Sequence, residues 1–234
     1  RNRILNFNDI EINIVGDISS KDSRRIINLL TNKFSKSENI SSDKFDMTAV
    51  NYHSEFESTQ SHIAVIIPTI SRTHPDYHNL LVANYIFGGS GFGSWLMEEI
   101  RQKRGLSYSV FSYLSTIQDK GYLKISLQTK NENIKLAKNI ILEQIQRLKQ
   151  FEVKDSKIEA TKIAILRSFE MRTDTNKKLL NLLTAVNKLD LDLNYFVNYK
   201  TKLQSVNKET IRSALNNSMD FENISVFTVG KTIE

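Results

Sequence analysis

The chain has 234 residues, 40% of them hydrophobic and 25% charged, which is enough apolar material for one large domain or two small ones. Only two prolines and eight glycines argue against a fibrous or disordered chain, and the lack of cysteine excludes disulfides, thiolate metal sites and cysteine nucleophiles. The formal net charge of +6 speaks first to a lysine-rich solvated surface, and no apolar run approaches the roughly 20 residues of a membrane span.

The chain opens Arg1-Asn2-Arg3, with neither Met nor a signal-peptide pattern, so we expect a processed product or a piece of a longer protein. The compartment is left open, with a periplasmic or otherwise exported location as the working expectation. Residues 9–15 place Ile10, Ile12 and Ile14 on one side, the period of a half-buried strand ended by Gly16-Asp17. Ser19 followed by Asp22 predicts a capped helix from Ser20 to about Phe34, with Ile26, Ile27, Leu30 and Phe34 as its stripe. Residues 35–46, rich in Ser, Lys, Asn and Asp, read as a linker. Strands are expected over 49–57 and 62–68, then a helix from Pro75 to about Phe87 that stops at Gly88-Gly89.

A glycine loop over 88–93 leads to a short helix over 94–104, closed by Gly105 as a left-handed residue. Strands over 106–114 and 121–128 read as an antiparallel hairpin. Helices are expected over 133–151, 155–171, 176–188, 195–206 and 208–216, the last capped by Asn207, and a final strand over 223–229. Ile12-Asn13-Ile14-Val15-Gly16 is echoed by Val226-Phe227-Thr228-Val229-Gly230, a weak sign of a repeat. The implied layout is the tail of one unit over 1–34, a linker over 35–46 and a complete unit over 47–234. Hairpins without βαβ alternation point to an α+β fold, an antiparallel sheet of four to six strands packed against helices.

The four histidines are His53, His62, His74 and His78. His74 and His78 have a spacing that can present two zinc ligands, but Tyr77 stands where an H-x-x-E-H peptidase needs the glutamate that activates water. We therefore expect no metal site there. His53, with Glu55 and Glu57 on the same side of a strand, reads as a solvated face. The run Gly88-Gly89-Ser90-Gly91-Phe92-Gly93 lacks the Gly-Lys-Ser/Thr of a phosphate loop and follows a helix rather than a strand. It reads as a connector whose glycines can admit a peptide backbone. The basic cluster Arg101-Gln102-Lys103-Arg104 is short and preceded by Glu98 and Glu99, so no nucleic-acid partner is expected.

Arg101 sits in the last turn of the short helix, and Tyr108 just inside the strand that follows Gly105. The reversal can bring a guanidinium fork and a phenol toward one space, where they could hold a peptide carbonyl or the oxyanion formed on attack. Spacing leaves open the simpler reading, a helix-end arginine favouring the dipole and a tyrosine on a sheet, and by itself favours it.

The stretch from Gly93 to Val110, through Arg101-Gln102-Lys103-Arg104-Gly105-Leu106-Ser107-Tyr108-Ser109, resembles a signature of the zinc metallopeptidase family of pitrilysin, insulinase and mitochondrial processing peptidase. It is the signature of the family's second, non-catalytic domain, which typically reads Gly-Gly-Gly…Ser-Arg-Leu…Arg-Glu-Lys-Arg-Gly-Leu-Ala-Tyr-Ser-Val. The resemblance continues through the hairpin, Gly121 and the later helices, and the opening strand and helix resemble the end of the first domain. It implies a two-domain peptidase around a chamber, with zinc held by a domain or partner subunit missing from this chain. It further implies that Arg101 and Tyr108 bind the substrate backbone and that Gly88, Gly89, Gly91 and Gly93 belong to a substrate-contacting segment. The chain by itself would hold no cofactor and cleave no peptide; the alternative is a proteolytically inactive scaffold of the same fold. Trp95 and Gln102 depart from the signature, replacing its usual Arg and Glu.

Overall fold

The computed structural model describes residues 10–32, 47–117, 119–189, 191, 192 and 194–231. Contacts divide the chain into two compact units: the described part of 1–46 with 167–195, and 47–166 with 196–231. The segment expected as a linker, 35–46, lies outside the described residues, as does Phe34.

The smaller unit contains helix α1 (Ser20–Thr31) and helix α5 (Asn176–Lys188). Ser19 caps α1 by accepting from the Asp22 amide at 3.1 Å, and Thr175 caps α5 by accepting from that of Lys178 at 3.3 Å. The strand expected over 9–15 is not formed in its described part. Ile10, Ile12 and Ile14 are half-buried, but so are Asn13 and Val15, and residues 10–15 are irregular. An alternating sequence is not enough for a strand, which also needs a ladder partner, and here the contact at Asn13 is with a side chain, the Asn187 amide at 2.8 Å.

The larger unit is built on five strands in the order β1-β5-β2-β4-β3, with β1 at Asn51–Glu55, β2 at Gln60–Ile70, β3 at Val110–Ile117, β4 at Lys120–Lys130 and β5 at Ser225–Gly230. The sheet is mixed rather than wholly antiparallel. Strand β5 runs antiparallel to β2 and parallel to β1. Consecutive strands β1 and β2 run in opposite directions with β5 between them, so β5 cannot oppose both. Helices α2 (Tyr77–Asn84), α3 (Ile134–Gln150), α4 (Asp155–Glu170, its end from Arg167 falling in the smaller unit), α6 (Tyr195–Gln204, Tyr195 itself falling in the smaller unit) and α7 (Lys208–Ser218) complete it.

The alternation of β2 and β4 decides which face is buried. Ile63, Val65 and Ile67 pair across the ladder with Leu127, Ile125 and Leu123, and all six are at most 3% exposed. Each such side chain contributes about 1.5–3 kcal/mol on burial. Ile141, Ile145 and Leu148 of α3 and Ile211, Ala214 and Leu215 of α7 bring helical stripes to the same core. Asn207 starts α7 with a capping box: its side chain accepts from the Thr210 amide at 2.8 Å, and the Thr210 hydroxyl accepts from the Asn207 amide at 3.0 Å. Lys162 is a buried cation that donates to the carbonyls of Gln204 and Val206 at 2.8 and 2.9 Å and to the Glu159 carboxylate at 2.8 Å. It thereby satisfies carbonyls at and beyond the end of α6 that the helix itself cannot.

Candidate functional site

The helix predicted from Pro75 is regular over Tyr77–Asn84 and then widens into a π-helical stretch, Tyr85–Gly89, closed by the Ser90 amide donating to the Tyr85 carbonyl at 3.1 Å. Buried Asn84 accepts from the Ser112 hydroxyl of β3 at 2.6 Å, and Gly88 packs so closely that a Cβ there would stand 2.4 Å from the same oxygen. The helix therefore meets the Ser112 side chain of β3 with no room for a side chain of its own at Gly88. Gly89 lies against Asn84 at the end of the wide stretch.

Residues 90–93 form the loop. Gly91 and Gly93 take φ of +66° and +91° on either side of Phe92. Ser94 then starts the next helix: its hydroxyl donates to the Gly91 carbonyl at 2.7 Å and accepts from the Met97 amide at 3.4 Å. This helix is also π-helical over Met97–Gln102, so wide turns bracket the loop on both sides, a feature frequent at functional sites. Gly105, at φ +62°, ends it as expected, with the Leu106 amide reaching back to the Ile100 carbonyl at 2.9 Å.

Tyr108 lies before β3, which begins at Val110, rather than inside it. The Ser107 hydroxyl takes the carbonyls of Gln128 and Ser109, both at 2.7 Å, and the Thr129 hydroxyl takes that of Leu106 at 2.6 Å. Side chains stand here where ladder bonds would otherwise run. Leu106 and Ser107 are buried anchors, and Tyr108 is turned out, 83% exposed.

Arg101 and Tyr108 are brought together, by stacking. The Arg101 guanidinium carbon lies 4.5 Å from the Tyr108 ring centre and 4.6 Å from that of Phe92. Phe92 is itself 68% exposed. Among the described residues no carboxylate lies within ion-pair distance of Arg101. Its neighbours differ: Lys103 and Arg104 each reach the Glu99 carboxylate at 2.6 Å, and Lys103 also reaches Glu98 at 3.0 Å. Hydrogen bonds first from Lys103 and then from Arg104 hold the Glu99 carboxyl below its usual range. The basic cluster is thus largely neutralised within one turn, and Arg101 remains with its donors turned to no acid.

An open groove of about 480 Å³ adjoins the loop, lined in part by Gly93, Trp95, Glu98 and Lys157. Trp95, in the place of the signature's arginine, is buried against Phe151, its ring centre 6.2 Å away, with the Arg147 guanidinium 4.1 Å from its own ring. Phe92 escapes a reading by periodicity, because a lone aromatic between glycines has no period; the signal is the Gly-Phe-Gly sequence itself.

The histidines do not assemble a zinc site. His74 accepts the Asp76 amide on Nδ1 at 3.1 Å, while His78 is buried against Tyr199, ring centres 5.2 Å apart. Burial, then the charges of Lys202 and Arg72, lower the His78 pKa to about 4. His53 lies on β1 beside Glu55 at 3.5 Å and Thr228 at 2.9 Å. His62 projects from β2, exposed, in register with Gln128. Among the described residues no group of three or more His, Asp or Glu side chains is placed to hold a metal ion, and no helix is long and apolar enough to cross a membrane.

Residues 2–165 match the peptidase M16 inactive domain, and the chain belongs to that family, the inactive C-terminal domain of zinc proteases. The Bacillus subtilis protein named "Uncharacterized zinc protease YmxG" is 29% identical over 124 residues, 53% of this chain and 30% of that one. The "Non-peptidase homolog YmxG" of Helicobacter pylori is 34% identical over 136 residues, 56% of this chain and 29% of that one. The solved peptidase M16 inactive domain from Pseudomonas fluorescens matches with a TM-score of 0.81 at 26% identity, covering 93% of this chain and 53% of that chain. A protease from Helicobacter pylori shares the fold at a TM-score of 0.76 and 16% identity, over 92% of this chain and 53% of that one. The match spans under a third of each of these two curated relatives and about half of each of these two solved chains.

Proposed function

We propose that this chain is the substrate-binding, non-catalytic half of a pitrilysin/insulinase-type zinc metallopeptidase. Peptide hydrolysis then belongs to the parent protein, with zinc held by a catalytic domain fused to this one or carried by a partner subunit of the same family. Residues 1–34 are the tail of that preceding domain, 35–46 the linker and 47–234 the inactive domain. Peptide is the ligand. Arg101 binds its backbone carbonyl through the guanidinium fork, Tyr108 supports it, and the open Gly91 and Gly93 let the strand pass close, while Gly88 and Gly89, packed against Ser112 and Asn84, hold the start of the loop. The observation that carries this reading is Arg101 itself: exposed in part, unopposed by any described acid, and stacked between Tyr108 and Phe92 of the glycine loop. This chain's residues bind and orient; no step at the metal is assigned to them.

A second reading, a proteolytically inactive scaffold of the same fold, is favoured by the name of the Helicobacter pylori relative, a non-peptidase homolog. Fluorescein-labelled β-casein, an unstructured protein, separates the two. If the parent protein cleaves it, and Arg101→Ala reduces both binding and cleavage, the peptidase reading stands. A parent and partner that both lack an H-x-x-E-H sequence and leave casein intact would leave only the scaffold.

A further inference from the structure

We infer that Phe92 is a positioning residue, which makes the orientation of the Arg101 guanidinium depend on the conformation of the glycine loop. The inference rests on the peptide-binding reading above. Phe92 contributes little to the core, since its ring is 68% exposed, yet that ring meets Arg101 at 4.6 Å. The backbone is shaped to put it there. Gly91 and Gly93 have nothing within 4 Å of where a Cβ would stand, so space is not what demands glycine at either position. Their positive φ values do, and these bend the chain on both sides of the one aromatic residue between them. The Ser94 hydroxyl and amide both donate to the Gly91 carbonyl, at 2.7 and 3.1 Å, and pin the far side of the bend.

Arg101 needs such a partner. A long side chain without a described acid to hold it has many rotamers, and ordering them opposes binding. A ring beneath the guanidinium restricts the swing without consuming an N–H donor, so the fork stays available for a carbonyl. Tyr108 supplies one ring from the segment before β3. Phe92 supplies the other from the loop, so a loop displaced by an arriving peptide carries Arg101 with it.

The test uses the full parent protein labelled with [15N]arginine, with labelled β-casein as the probe. Phe92→Leu keeps an apolar side chain but no ring face. We expect it to move the Arg101 Nε–Hε resonance and weaken casein binding about two- to fivefold, with Phe92→Trp restoring both. Gly91→Ala, which distorts the bend and leaves the ring intact, should reproduce Phe92→Leu. An Arg101 resonance and an affinity untouched by Phe92→Leu, while Arg101→Ala still weakens binding about tenfold or more, overturn the positioning role and leave the peptide-binding reading in place. Unaltered binding in Arg101→Ala overturns both.

Discussion

Lys162 and Arg101 are both cations of the larger unit, and they are held in opposite ways. Lys162 is buried and saturated with oxygen: two main-chain carbonyls and one carboxylate, all within 2.9 Å. Arg101 is half-exposed and held by rings, with its N–H donors aimed at no described acid. The first arrangement spends every donor on the fold, and the second keeps them for something else. The pair contrasts a cation whose donors are all engaged by the fold with one whose donors are not, and the proposed binding role of Arg101 rests on that difference.

Removing Lys162 should have the largest effect on stability. Lys162→Met leaves buried carbonyls without a donor, and we expect urea unfolding to report a loss of about 3 kcal/mol, with casein affinity per folded molecule unchanged. His78 sharpens the contrast by being buried among cations in its neutral form. Its folded pKa, about 4, lies below the ordinary 6.5, so the unfolded chain takes up the proton first as pH falls. The stability it supports is whole above pH 6.5 and is lost progressively down to about pH 4; in His78→Gln, that part of the pH slope should vanish from the unfolding curves.

Arg101→Ala should reverse the pattern of Lys162. Unfolding should shift by less than about 0.5 kcal/mol, while casein affinity falls about tenfold or more. A large stability loss in this variant would erase the distinction between the two cations. Glu99→Gln, which weakens the tie of Lys103 and Arg104, should cost about 1 kcal/mol. Because the folded pKa of Glu99 is depressed, its contribution is present above about pH 4.5 and disappears as pH falls through the folded value, so wild type and variant should converge in acid. Smallest of all, Tyr108→Phe keeps the ring that Arg101 stacks on and should alter affinity by no more than about twofold if stacking is the phenol's main part, whereas Tyr108→Leu should exceed it.

Where one local rule decides, the sequence is readable. The helix over 176–188 and the cap at Asn207 come out as expected, because capping and 3.6-residue periodicity are properties of neighbours along the chain. The Gly105 turn does too. What escapes is set at long range. Parallel pairing of β1 with β5 joins residues some 175 positions apart in sequence, and nothing in either strand records its direction. The strand over 9–15 fails because alternation cannot supply a ladder. The wide turn over Tyr85–Gly89 sits where Asn84 meets Ser112 across the unit, and Tyr108 leaves β3 where Ser107 bonds the Gln128 carbonyl. Of the candidate site, the proximity of Arg101 and Tyr108 follows from a helix, a glycine and a reversal. Their stacking, and the contact of Phe92, arise only from the folded path of the loop.

The place of β5 between β1 and β2 also sets the sequence of events in making the protein. On a ribosome the strands β1 to β4 emerge well before β5, so the three strands β2, β4 and β3 can pair while the slot beside β2 stands empty. Until the fifth strand threads in, the main chain over His62–Ile66 offers unpaired donors and acceptors next to buried Ile63 and Val65. A nascent or truncated chain lacking β5 therefore carries an adhesive edge that the finished domain hides, and its yield in cells should depend on how quickly that slot is filled.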